Sequence, residues 1–550
     1  MGYVMFYLAV VAACLLWSAT FIAAAARTER PWLRRLLVAI AVLLPPLSLL
    51  PWVSFTGALA FGAGLTTNWF APTLTACVAA IVGGFWIRAG GMSRAGGHGI
   101  PAAAAWPLVG LAAMFVLAKA VAFGTLLFID NAVAAQIRPL RIEAAGMMQT
   151  ALPPQPTSDD DAAPLYLRAL AAIQADKGIT DSESPLAQPS TVDVSAATVT
   201  EMLARHASTL DLLRRAADKP GCRFVRDWAR PSIHMLLPEI QGMRQAARLL
   251  AVAARHAAAT GDTATAIRDV ARIHRMGMHA AGEPVLVCGL VGQAIDIMAL
   301  ETLIAVLPGL EKQDLPLLDD VGFRDFLASP MSYQRSFLGE EAFGLASIAD
   351  IAEGRLTLGT FSDPDSSGGL VCFTAPLTLL YRCFLLPSDL TGYRGAMRQY
   401  QELAGSSGGA AGFPGIALKT REIQARIRDK SAGIFGGLML PALDGILRSQ
   451  VRGRAMHHAA DVLVAATRVR LTTGTLPRSV DDLVPTAFAT VPRDPFTADA
   501  PLTSARTADA WTVYSVGPNG KDDGGPPAPD ANKPQDNDDV GLRLSLSTQP

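Results

Sequence analysis

The stretch AAATGDTATAIRDVARI, Ala257 to Ile273, decides the fold class of the soluble part of this chain. Alanine is the best helix former, so Ala251 to Ala258 reads as helix. Gly261 ends that helix, and Asp262 or Thr263 caps the next one. Ile267, Val270, Ala271 and Ile273 then resume an apolar stripe at helical spacing. The result is two antiparallel helices joined at Gly261-Asp262. The same periodicity extends outward from Val199 to Leu307. Met202, Leu203, His206, Leu210 and Leu213 share one stripe, and Ile240, Met243, Ala247 and Leu250 share another. The expected fold class is therefore mainly α.

This hairpin resembles a tetratricopeptide-type unit. No second copy follows at a fixed period, so a repeat array is not expected. Val285 to Leu307 is nearly all apolar, but Gln293, Asp296 and Glu301 interrupt it, as in a buried core helix. Leu370 to Leu386, broken by Pro376, Tyr381 and Arg382, and Ile434 to Leu447, with Pro441 and Asp444, read as core or membrane-surface helices.

The N-terminal region is a different physical object. The 550 residues are half apolar and 17% charged, too poor in charge for a wholly soluble protein and too long for one core. Residues 1–129 hold seven of the 47 Lys/Arg and one of the 48 Asp/Glu, namely Glu29. A bilayer crossing needs roughly 20 apolar residues. Four segments qualify as candidates: Gly2 to Ala26, Leu36 to Gly64, Pro72 to Ile87 and Pro107 to Ile129. The first is too long and too weakly basic at its start for a cleaved signal peptide. The second carries Pro45, Pro46 and Pro51, which bend or break it. The third is short and contains Gly83 and Gly84. Arg27, Arg30, Arg34 and Arg35 follow the first span, and Arg88 and Arg94 follow the third. Cations stay on the cytoplasmic side, so both basic loops are expected inside, with the N-terminus and everything after Asp130 outside. Lys119 lies within the fourth span and reads as a cation facing the bundle interior.

Four regions follow: a transmembrane anchor of about four helices (1–130), a stalk and polar linker (131–198), a helical extracytoplasmic domain (199–450), and a small α+β module (451–550). The linker carries Pro153-Pro154-Gln155-Pro156 and Asp159-Asp160-Asp161. The net charge of -1 argues against nucleic acid as a partner. Cys14 and Cys77 fall in spans; Cys222, Cys288, Cys372 and Cys383 would meet an oxidising compartment, where a disulfide between any two can form. The eight histidines read as structural or solvated. His274 and His279 are on different helix faces, as are His457 and His458. No H-E-x-x-H, G-x-S-x-G or P-loop pattern occurs.

In the last region Met456 to Leu471 reads as a helix, stopped at Gly474. Trp511 to Val516 and Val540 to Leu546 read as strands joined by the acidic loop 517–539. The order Gly474, Pro477, Leu483, Asp494-Pro495-Phe496, Tyr514 to Gly520, Asp522 to Gly525 and Asp538-Asp539-Val540 resembles the globular domain of the type II secretion major pseudopilin. As a whole the chain looks like a bacterial multi-span envelope protein. In the pseudopilin family the matching loop binds calcium. The resemblance thus implies a calcium site at Asp522, Asp523, Asp536, Asp538 and Asp539, in keeping with the oxygen donors calcium takes. A pseudopilin starts with a cleaved basic leader and a membrane helix with an acid at its fifth position; nothing like that precedes the helix at Met456, so a pilus subunit is not expected.

Together these features suggest a non-enzymatic protein of the bacterial inner membrane. It would be a scaffold or interaction protein that meets the lipid bilayer and an envelope protein partner. One alternative is a transport or channel component, supported by Lys119 and the broken second span. Another is an envelope hydrolase using Glu340-Glu341 or Asp319-Asp320, although no feature of the sequence raises a carboxyl pKa there.

Overall fold

The computed structural model describes residues 29–33, 131, 133–176, 186, 192–353, 355–356, 381, 385–406, 412–429, 431–497, 499–526 and 537–546. It is mainly helical, with one small antiparallel sheet near the C-terminus. The four expected spans, Lys119, Asp536, Cys14, Cys77, Cys372 and Cys383 lie outside the described residues. Two compact units emerge: residues 1–140 with 348–387, and residues 141–347 with 388–550. In the first unit, Val133, Ile137 and Leu140 are buried and Arg355 pairs with Asp350 at 2.9 Å.

The second unit is built on α1 (Ala163–Ala175), α2 (Ala207–Ala217), α3 (Pro238–Ala259), α4 (Thr263–Ala281), α5 (Leu286–Val306), α6 (Val321–Ala328) and α7 (Leu443–Thr473). The α3–α4 hairpin forms as its sequence dictates. Gly261 takes φ +88°, a region that L side chains avoid, and Asp262 caps α4 by accepting a hydrogen bond from the Thr265 amide at 3.0 Å. Ile240, Met243, Ala247 and Leu250 are buried on one side of the hairpin, and Ile267, Val270 and Ile273 on the other.

α3, α4 and α5 pack on one another, and α7 packs along α5. The α4–α5 crossing is backbone on backbone. A methyl group on Gly292 would stand 2.6 Å from the Gly277 carbonyl oxygen, and one on Gly277 would stand 2.8 Å from that of Gly292. α5 is the one helix among the described residues whose segment, Leu286–Gly309, is long and apolar enough to cross a membrane; 72% of that apolar window is buried inside the protein. The polar interruptions Gln293 and Asp296 turn inward, and Glu301 is exposed.

Charged side chains tie these helices together. Arg214 of α2 grips the fully buried Asp269 of α4 through Nε and Nη2, the shortest contact being 2.7 Å, and Arg272 bridges Asp269 to Asp218. Arg226 joins Glu239 at 2.9 Å and Glu283 at 2.9 Å. Cys222 and Cys288 are buried free thiols, not a disulfide with each other.

The C-terminal sheet comprises β1 (Thr503–Arg506), β2 (Ala510–Ser515) and β3 (Val540–Ser545), in the order β1-β2-β3 and antiparallel throughout. The strands at 510–515 and 540–545 match the alternation of their sequence; β1 is an addition, too short and too polar at Thr503-Ser504 to stand out. Val540, Leu542 and Leu544 point inward, and the sheet packs against α7. α7 begins at Leu443, well before the expected helix start at Met456, and ends at Gly474, whose φ is +82°. Pro441 separates α7 from the short helix Ile434–Met439, because proline cannot continue a hydrogen-bonded helix ladder.

Candidate functional site

Three ligand-type side chains from three helices meet in the core. His274 of α4 faces Asp296 of α5, with Nδ1 2.7 Å from Oδ1. His457 of α7 faces the other carboxylate oxygen, with Nε2 2.8 Å from Oδ2. All three are buried, Asp296 completely. Among the described residues this is the one group of three or more His, Cys, Asp or Glu side chains whose ligand atoms lie within 4.8 Å of one another.

Each member is placed by a local feature. Gly277 and Gly292 let α4 and α5 touch, which brings His274, one turn before Gly277, to Asp296, one turn after Gly292. Gly453, one turn before His457, makes room for the Gln293 amide, against which any side chain at 453 would collide. Gln293 Nε2 lies 3.4 Å from Asp296 Oδ2, while its Oε1 is buried without a hydrogen-bond partner. The Phe326 ring of α6 covers both imidazoles, at 5.0 Å from His274 and 5.8 Å from His457.

Proton placement follows from the partners. His457 Nδ1 lies 3.2 Å from the Leu327 carbonyl oxygen, and its Nε2 faces a carboxylate. Neither acceptor can donate, so each contact is a hydrogen bond only while the ring nitrogen facing it carries a proton. His274 needs a proton on Nδ1 alone. Burial pushes the Asp296 carboxyl up, but the hydrogen bonds and charge of His274 and His457 outweigh it and hold it below the usual carboxylate range. The arrangement can therefore act as a buried charge relay tying three helices, or exchange its shared protons for a cation.

The acidic loop is organised differently. Asp522 Oδ1 accepts hydrogen bonds from the Tyr514 hydroxyl at 2.9 Å and the Gly524 amide at 3.0 Å. Asp523 Oδ2 accepts from Asn519 at 2.8 Å and from the Asp538 amide at 3.2 Å. Asp539 Oδ2 accepts from the Gly525 amide at 2.7 Å and the Asp523 amide at 3.1 Å. Asp538 is exposed, whereas Asp539 is buried and its Oδ1 has no hydrogen-bond partner. Burial and the neighbouring Asp523 and Asp522 charges outweigh those amide bonds and raise the Asp539 carboxyl. The loop thus brings Asp522, Asp523, Asp538 and Asp539 into one hydrogen-bonded turn; among the described residues no three of its carboxylates converge on a point. Asp494 of the Asp-Pro-Phe motif anchors this region: its carboxylate accepts from the Ser515 hydroxyl at 2.6 Å and from the Phe496 and Val516 amides.

The other candidates separate. Glu340 and Glu341 are both raised by burial, contrary to the expectation that nothing there would raise a carboxyl; a Gln401 amide partly offsets the rise at Glu341. Asp319 is lowered by its bond to Arg468, and Asp320 caps α6. His279 meets Tyr166 at 2.9 Å, and burial presses it down to about 4. His458 faces the Arg493 carbonyl oxygen at 3.0 Å. His274, Asp296 and His457 were not visible as a group in the sequence; the polar residues inside apolar α5 were their one signal. No protein-family model, curated protein or solved structure matches the chain.

Proposed function

We propose that this chain is a membrane-anchored envelope protein that holds partners rather than turning over a substrate. On this reading the apolar segments before residue 130 anchor it in the bacterial inner membrane. The helical unit is then a scaffold outside the cytoplasm, and the C-terminal sheet an interaction module whose acidic loop takes calcium, as the resemblance to the major pseudopilin implies.

The observation that carries the reading is Asp539: a buried carboxylate in an acidic loop, with one oxygen bonded to backbone amides and the other without a partner. A buried acceptor without a donor costs roughly 1–3 kcal/mol, which a cation at that oxygen would recover. The charge networks of the helical unit support the scaffold role, because Arg214, Arg226 and Arg272 all bridge between separate segments.

Calcium titration of the full chain in detergent, followed by thermal melting, tests it. Calcium is expected to raise the melting temperature of the wild type and to do nothing in the Asp538→Ala, Asp539→Ala double variant. A wild-type melt that ignores calcium removes the module's proposed ligand. Extraction of the chain from membranes by alkaline carbonate would remove the anchor.

A further inference from the structure

We propose that His274, Asp296, His457 and Gln293 form a closed site for a transition-metal dication of the zinc class, which locks α4, α5 and α7 together. This goes beyond the envelope-scaffold reading and does not depend on its calcium loop.

The donor chemistry fits. Two imidazoles and a carboxylate are ligands that zinc accepts, at bonds of about 2.0–2.2 Å, and structural zinc sites are four-coordinate and shut off from solvent. All four residues are buried. The fourth donor is Gln293. Its Oε1 is buried without a partner beside Asp296, and turning the amide about its last bond exchanges Oε1 with the Nε2 that now contacts Oδ2. The absence of a side chain at Gly453 leaves the space the amide occupies. A buried amide oxygen that bonds nothing has no structural use where it stands; as a ligand it has one.

The outer contacts fit too. A metal-bound histidine commonly donates its second ring N–H to a carbonyl or carboxylate, and His457 Nδ1 already faces the Leu327 carbonyl oxygen. Ligation at Nε2 removes the proton now shared with Asp296. His274 shifts to its Nε2–H tautomer and binds through Nδ1. The present separations of 2.7 and 2.8 Å are hydrogen-bond lengths. Tetrahedral ligands at zinc distances stand roughly 3.3 Å apart. The three ligand atoms already lie within 4.8 Å of one another, so the adjustment asked of the side chains is on the order of 1 Å.

The test uses the full chain in detergent after chelator treatment, with zinc for affinity and melting and cobalt(II) for spectroscopy. The wild type is expected to bind one equivalent, to melt several degrees higher with zinc, and to give the visible absorption of tetrahedral cobalt. His274→Ala should abolish the band, and Gln293→Ala should weaken binding by at least the roughly 10–100-fold typical of lost outer-shell contacts. A folded wild type showing no band and no melting shift overturns the proposal, whatever the variants do. So does a band that persists in folded His274→Ala. Calcium is expected to leave the cobalt band unchanged, so loss of the loop's calcium response and loss of this site are separate results.

Discussion

Asp296 and Asp539 are the same side chain, both buried, and their surroundings push them in opposite directions. Asp296 is bracketed by two histidines on neighbouring helices, and their protons and charge hold it ionised despite burial. Asp539 is held by two backbone amides of its own turn, which are weaker partners than a cation, while Asp522 and Asp523 add negative charge. Around Asp296 the helical unit satisfies its buried charge internally. The sheet module leaves part of its charge unsatisfied at the edge of a loop. A region of the second kind is where an external cation gains most.

The comparison breaks most visibly at Asp296. Replacing it with alanine leaves two buried imidazoles without the carboxylate both of them bond, and removing one partner of a buried pair typically costs about 3–5 kcal/mol. Denaturant unfolding of Asp296→Ala without added metal should show that loss. A cost under about 1 kcal/mol would mean that the triad carries no charge.

Gly292→Ala tests the geometry behind the triad. Its new methyl meets backbone, not a movable side chain, so α4 and α5 must separate. Overpacking of this kind costs roughly 1–3 kcal/mol, and the contact between His274 and Asp296 should lengthen with it. A unit as stable as wild type would show that the crossing is looser than the backbone contact implies. In the sheet module, Asp494→Ala leaves the Phe496 and Val516 amides and the Ser515 hydroxyl without their acceptor, at about 1–3 kcal/mol. The expected readout is a lower melting temperature with α-helical circular dichroism retained, because the damage is confined to the end of β2.

The same contrast explains what the sequence reveals. The acidic loop is local: Gly517, Asp522-Asp523, Gly524-Gly525 and Asp538-Asp539 fall between two alternating strands, so turn chemistry and strand period identify it. The α3–α4 hairpin is legible for the same reason, through Gly261 and the Asp262 cap. The triad is not local. His274 and Asp296 are 22 residues apart, and Asp296 and His457 are 161 apart. No spacing rule joins residues on three helices whose crossings depend on Gly277, Gly292 and Gly453. Each histidine alone reads as a core residue. Likewise, the rise at Glu340 and Glu341 comes from burial by other segments, which residue type cannot reveal.

Asp539→Asn gives the smallest effect and the sharpest sign. A carboxyl whose folded pKa is raised contributes stability below its unfolded pKa and loses it as pH rises through the folded one. Asparagine has no such loss. In calcium-free buffer, the stability difference should therefore move in favour of Asp539→Asn as pH rises from the acidic side of the carboxylate range, by under about 1 kcal/mol because the loop is partly solvated, and then level off. Asp296→Asn should move the opposite way over the same titration, since the lowered carboxyl gives stability that appears as pH rises. Parallel pH profiles for the two variants would dissolve the comparison. Opposed profiles in metal-free buffer, with calcium then reversing the trend at Asp539 alone, would show that the metal-free fold satisfies Asp296 by itself and leaves Asp539 to be completed by calcium.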